Sequence, residues 1–392
     1  MIENLFSRLP LMLLLLAGMI PSAMLASDGA ESSAPSGADV SMDVSLVKPV
    51  IEVRFNGRGP YRIIVDSGAH PPLILDEDLA TELGLKRIGS RRVGDPSNPE
   101  AIEAGVVLID SVEVGSIHVK GVEALTWDRK FYTGADRPRG IAGLDLFGDA
   151  LVTFDYPAGR FRVEPGSLPE PDGRNILPAG SRHGLPTIPI EVGGQTFSAH
   201  LDTGSMGPVS LPLKAKESLS LMGEPREIGR ARTANSEFAI LKAPVRGTMR
   251  VGPLSIENPD VHFHPLPDAN VGSEILRSMA VTFDRVDGRV RLVVNEAAAA
   301  LPPRPRFGIR LSGAANGNLP VAGVEPGSLA EASGVRAGDA IVRMNGRAVS
   351  EMGPGDYSAI FRSPAFTLTV IRNGAEIEIP VRTPVPIVPA RD

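Results

Sequence analysis

Short runs patterned with Val and Ile, separated by Gly and Pro, fill the chain, and few stretches keep a helical period for long. This pattern, with 42 Gly and 36 Pro in 392 residues, predicts a mainly β protein. IEVRFNGRGPYRIIV and TIPIEVGGQTFSAHL each read as two strands around a Gly turn. VVLIDSVEVGSIHVKGVEAL and APVRGTMRVGPLSIENPDVHF do the same around Gly115 and Gly252. Two helices interrupt the strands. One covers LDEDLATELGL, where Asp76 is placed to cap it, Leu79 and Leu83 share a face and Gly84 ends it. The other is LPLKAKESLSLMG, ending at Gly223.

These elements come in two parallel series. Each first hairpin runs into an acidic tripeptide, Asp66-Ser67-Gly68 and then Asp202-Thr203-Gly204. A helix, the second hairpin, and Ile141-Ala142-Gly143 or Asn270-Val271-Gly272 follow, and each series closes on a T-F-D string, a turn and a strand. The second Asp lies 136 residues after the first and the second T-F-D 129 after the first, so the halves keep register with one small change of length. This reads as a duplicated lobe. Solenoids stack at least three small units, whereas two units of more than about a hundred residues are domains facing each other.

The arrangement resembles the retropepsin-like and pepsin-like aspartic peptidases, in the bacterial single-chain form with two retropepsin-like lobes, over residues 45–296. The resemblance implies a bilobal β fold in which each lobe supplies one Asp-Ser/Thr-Gly loop, braced by an apolar-apolar-Gly segment. It implies a catalytic pair, Asp66 and Asp202, and supporting roles for Ser67, Gly68, Thr203 and Gly204, the two hydroxyls holding the loops together. Ile141-Ala142-Gly143 fits the brace, while Asn270, and His200 in the second acidic strand, stand where apolar residues are usual. Hydrolysis without metal or side-chain nucleophile needs a base for water and an acid for the carbonyl oxygen. Two carboxyls about 3 Å apart cannot both ionise and so share a proton, the aspartic-protease dyad being the standing example. Gly68 and Gly204 lack a β-carbon and let backbone amides approach the carboxyls. Polar segments around Asp95–Pro99 and Thr233–Ser236 are either hairpins that cover the cleft or plain surface loops.

NEAAAALPPRPR reads as a linker, and beyond it PGSLAEASGVRAGDAIVRMNG resembles the PDZ domains attached to bacterial secreted proteases, an α+β module. The resemblance implies capture of a C-terminal peptide as an added strand. Phe307-Gly308-Ile309 would be the carboxylate loop, with Arg306 adding positive charge and Tyr357 and Ile360 on a helix forming the other wall. The alternative is a module that only packs against the lobes.

Composition narrows the chemistry. A net charge of −6 without basic runs carries no nucleic-acid footprint. Absence of cysteine excludes disulfides, thiol nucleophiles and Cys-based zinc sites. His262 and His264 would share a strand face but lack a third ligand at a recognisable spacing, so no metal or cofactor is expected. His70, two residues after the first loop, is either a cleft-lining residue or, as a lone His beside Pro71 and Pro72, a surface or packing residue; Trp127 and Phe131 read as core or substrate wall, and Asp155 with its repeat Asp284 as architectural. No zinc-protease helix, phosphate loop or serine elbow occurs. Arg8 before LPLMLLLLAGMIPSAMLA reads as a signal peptide ending at Ala26, for a periplasmic or secreted protein, with an uncleaved anchor as the alternative. The plan is a signal peptide (1–26), a linker (27–44), an N-terminal lobe (45–165), a linker (166–174), a C-terminal lobe (175–296), a linker (297–305) and a PDZ domain (306–385). The expected function is an aspartic endopeptidase acting on protein or peptide substrates. The competing reading is a non-catalytic peptide-binding or scaffold protein on the same fold.

Overall fold

A computed structural model describes residues 37–44, 48–94, 102–127, 137–232, 237–296, 307–311, 317–352, 354–361, 363 and 365–382. The signal peptide, the segments Asp95–Pro99 and Thr233–Ser236, Phe131, the 297–305 linker, Arg306 and the side chain of Trp127 lie outside what is described. The duplicated lobes and the C-terminal module form separate compact units, and the protein is mainly β.

The first lobe is a seven-stranded sheet in the order Val50–Phe55, Arg58–Val65, Gly140–Ala142, Leu73–Asp76, Ile117–Trp127, Ile102–Val114, Arg87–Val93. The second lobe repeats it with Leu185–Val192, Gln195–Asp202, Ala269–Gly272, Val209–Pro212, Asp260–His264, Glu237–Pro244 and Arg226–Arg232. Its long hairpin is cut: the strand through Pro244 restarts at Thr248, and Leu254–Glu257 is separated from Asp260–His264 by Pro259. Proline cannot donate to a ladder, so these two residues fall where pairing is interrupted. Gly115 and Gly252 make the expected turns at φ 56° and 55°.

The position that matters is the end of each acidic strand. Arg58–Val65 and Gln195–Asp202 each run parallel to the short brace strand, with Val65 opposite Ala142 and Asp202 opposite Gly272. The tripeptides therefore leave the sheet at matching points of the two lobes.

A third sheet of six strands joins the lobes, in the order Ala38–Ser41, Arg160–Glu164, Leu151–Asp155, Met279–Asp284, Arg289–Val294, Ile176–Pro178. The two T-F-D strands pair at its centre. Thr153 lies opposite Thr282 with their hydroxyls 2.9 Å apart, and Phe154 and Phe283 meet edge to face at 5.9 Å. Asp155 accepts from the Ala158 amide at 3.1 Å, and Asp284 from those of Asp287 and Leu168 at 3.0 and 2.8 Å, so both acids pin turns. One continuous core runs through both lobes.

Two local expectations change. Asp76 precedes the helix Glu77–Leu83, but its side chain makes no capping bond, whereas Gly84 ends the helix in the left-handed region at φ 72°. LPLKAKESLSLMG is a 3-10 helix only over Leu213–Ser218; Leu219 is extended and Leu221 bridges to Val245. Tertiary pairing with the cut hairpin takes the residues that helical propensity would have continued.

The C-terminal module is a separate sheet of Ile309–Leu311, Leu319–Val324, Ala340–Met344, Ala365–Arg372 and Ala375–Arg382, with Arg347–Ala348 beside it and helices Leu329–Ala332 and Pro354–Phe361. Ser328 caps the first helix by accepting from the Glu331 amide, and Asp339 holds Arg372 at 2.7 and 2.8 Å.

Because Phe283 is fully buried where the lobes join, Phe283→Ala is expected to cost about 3–5 kcal/mol. Urea unfolding of the full chain measures it, and a loss below about 1 kcal/mol would mean that the shared sheet does not hold the lobes.

Candidate active site

Burial is nearly complete at both acidic tripeptides, with Asp66 0% and Asp202 2% exposed. Each strand continues into its loop by main-chain bonds, the Asp66 amide donating to Ala142 O at 2.8 Å. Each carboxylate then accepts from its own loop, Asp66 Oδ1 from the Gly68 amide at 2.8 Å and Asp202 Oδ1 from the Ser205 amide at 2.9 Å.

The loops are tied crosswise. Ser67 Oγ donates to Leu201 O at 2.6 Å and accepts from the Thr203 amide at 3.0 Å. Thr203 Oγ1 donates to Val65 O at 2.8 Å and accepts from the Ser67 amide at 2.9 Å. Each hydroxyl thus serves as donor and acceptor, so both are satisfied although buried. A Cβ on Gly204 would lie 2.0 Å from Asp66 Oδ2, and one on Gly68 2.8 Å from Asp202 Cγ. Each glycine therefore lies against the other lobe's carboxyl, and any side chain there would displace it.

Burial pushes the Asp66 carboxyl above the ordinary carboxylate range, opposed by the charge of Lys48. Burial and then the negative charge of Asp66 push Asp202 well above that range, again opposed by Lys48. Two facing carboxyls with raised pKa values can hold one proton between them, and such a pair can present acid and base together.

The two halves of the site are not equivalent. Asn270 Nδ2 donates to Asp202 Oδ2 at 2.9 Å, where the first lobe has the apolar Ile141. The misfit in the second brace is thus a direct ligand of the carboxyl, visible in the sequence as a departure but not as a role. Ser273 Oγ donates to Thr203 O at 2.9 Å, and its oxygen lies 3.4 Å from the buried Tyr156 hydroxyl, which burial keeps protonated. Neither these two residues nor Lys48 carried a local signal.

Two of the histidines, His200 and His70, lie beside acidic side chains. His200 is buried beside Asp268 at 3.9 Å, and Arg182 reaches Asp268 at 2.7 Å. Against its burial, Asp268 is held below the ordinary range by His200 and Arg182. His264 is pushed down to about 4 by burial. Among the described residues no cluster of three or more His, Asp or Glu is arranged to hold a metal ion. His70, expected as a cleft-lining, surface or packing residue, places its Nδ1 2.5 Å from an Asp145 carboxylate oxygen, and Arg285 of the second lobe binds the same carboxylate.

In the C-terminal module Phe307 is a core residue, stacked on Phe361 at 4.9 Å and edge-on to Phe366 at 5.3 Å. Gly308 sits at φ 80°, and a Cβ there would lie 2.1 Å from that of Ser328. Ile309 and Ile360 are partly buried at the edge of this core. Tyr357 corrects its expected place on a groove wall. It is 7% exposed and its hydroxyl donates to the carbonyls of Val349 and Met352 at 3.1 and 3.0 Å, because a buried phenol is stable only with its polar tip satisfied.

The family model described as aspartyl protease matches residues 51–146 and 188–276, and the one described as PDZ domain matches residues 299–370. No curated protein matches the chain. Among the described residues no helix is long and apolar enough to cross a membrane.

The raised pKa of Asp202 has a definite sign in stability. Its carboxyl ionises near 3.8 in the unfolded chain and at higher pH in the fold, so the fold loses stability as pH rises above 3.8. Asp202→Asn is therefore expected to raise the thermal midpoint at pH 7, with the gain shrinking towards pH 3.8 and below. A midpoint that falls at pH 7 and is unaffected by acid would contradict this electrostatic picture.

Proposed function

We propose, for a chain in which aspartyl protease lobes precede a PDZ domain, that the protein is an aspartic endopeptidase cleaving extended protein substrates with water activated by Asp66 and Asp202. The observation that carries this reading is the crossed grip of Ser67 and Thr203, which brings two buried carboxyls face to face over Gly68 and Gly204.

In this reading the ionised carboxyl takes a proton from a water molecule as its oxygen attacks the scissile carbonyl carbon. The protonated carboxyl gives its proton to the carbonyl oxygen, so the tetrahedral intermediate forms without charge separation. Collapse returns a proton to the leaving nitrogen, breaks the C–N bond and restores the shared proton. The pair titrates as a unit, and neither residue is assigned a permanent role as acid or base. Ser67, Thr203, Gly68 and Gly204 position the pair. Asn270 holds Asp202 Oδ2 in place through the reaction.

The PDZ domain takes the C-terminus of a substrate or partner as a strand added beside Ile309–Leu311, with Phe307-Gly308-Ile309 at the carboxylate and Ile360 facing the peptide. Export to the periplasm or the medium rests on Arg8 and the apolar segment ending at Ala26.

A diverse peptide library incubated from about pH 4 to 8 and read by mass spectrometry tests this reading. Cleavage is expected from the wild type, with a loss of roughly 10²–10⁴-fold in Asp66→Asn and in Asp202→Asn. Equal silence of all three proteins would favour the non-catalytic peptide-binding reading, and equal cleavage would place the chemistry elsewhere.

A further inference from the structure

Lys48 is 3% exposed, and lysine is almost never buried to this degree unless its charge is compensated. Its position follows from the strand register. Val50–Phe55 pairs antiparallel with Arg58–Val65, Val50 standing opposite Ile64. The Val65 amide donating to Pro49 O at 2.9 Å carries the ladder one residue further. The next step puts Lys48 across from Asp66.

The groups around the pair leave one charge to be balanced. Gly68 and Ser205 contribute amides, Asn270 from the brace strand contributes a neutral amide, and Ser67, Thr203 and Ser273 contribute hydroxyls. Tyr156, from the turn after Leu151–Asp155, is kept neutral by burial. Two carboxyls sharing one proton carry a single negative charge. The ammonium of Lys48 acts on both, favouring ionisation of Asp66 and of Asp202 against their burial.

We propose that Lys48 is the counter-ion of the Asp66/Asp202 pair, a positioning residue whose ammonium makes the singly protonated pair electrically neutral within the buried site. Without it the ionised form is an uncompensated buried charge, and the pair keeps both protons to higher pH. The first lobe contributes Lys48 and the second contributes Asn270, so each half stabilises the ionised pair by a different means, one by charge and one by a hydrogen bond.

The activity test rests on the peptidase reading. Lys48→Met removes the charge at similar length, and Lys48→Arg keeps it. Both limbs of the pH dependence of kcat/KM are expected to move upward by roughly one to three units in Lys48→Met and to return towards wild type in Lys48→Arg. Activity lowered equally at every pH, with unmoved limbs, would reduce Lys48 to a packing residue and overturn the proposal. A second measurement needs no activity. The thermal midpoint of Lys48→Met relative to wild type is expected to fall as pH rises through the titration of the pair, and this pH dependence is expected to vanish when both proteins carry Asp66→Asn and Asp202→Asn. If it persists in that background, Lys48 answers to other charges and the proposal fails. Should the wild type cleave nothing, the peptidase reading falls while this thermal cycle still decides the role of Lys48.

Discussion

The crossed hydrogen bonds of Ser67 and Thr203 are the constraint on which the rest of the site depends. Each hydroxyl reaches the carbonyl just before the other lobe's Asp and receives the other loop's amide. Four bonds thereby fix the relative position of two carboxyls that repel each other when both are charged. Buried and fully satisfied, such a network is geometrically exacting, since loss of one hydroxyl leaves buried carbonyl and amide partners unmade. The six-stranded sheet that joins the lobes resists the same repulsion from a distance, through Thr153 with Thr282 and Phe154 with Phe283.

Holding both acids out of water destabilises the fold at neutral pH, as the raised pKa values of Asp66 and Asp202 state. Lys48 and the amide of Asn270 offset part of that cost, and the single core running through both lobes carries the remainder. A buried pair of acids of this kind carries a local cost in stability that the surrounding fold must outweigh. Small residues at Gly68 and Gly204 belong to the same economy of space, because the opposing carboxyl occupies the volume a side chain would need.

What was legible in the sequence was what repeats locally. Asp66-Ser67-Gly68 and Asp202-Thr203-Gly204 announced themselves because each closes a hairpin and each recurs with its brace and T-F-D strand. The β architecture followed from the same repeats. Asn270 was visible as a polar residue in an apolar brace, but its bond to Asp202 arises from parallel strand pairing across 68 positions of chain. Tyr156 and Ser273 reach the site by tertiary contact alone. Leu213–Ser218 shows the limit from the other side, where strand pairing at Leu221 overrode a plausible helix. Tyr357 failed for a related reason, since helical spacing alone does not say which face meets the core.

Carboxyl carbon-13 NMR of aspartate-labelled chain, assigned with the two Asn variants, decides whether Asp66 and Asp202 share one proton in the folded protein. One of the two carboxyls is expected to stay protonated well above pH 3.8, and each resonance to respond to removal of the other residue. Two independent titrations near 3.8, neither altered by substitution of its partner, would contradict a shared proton.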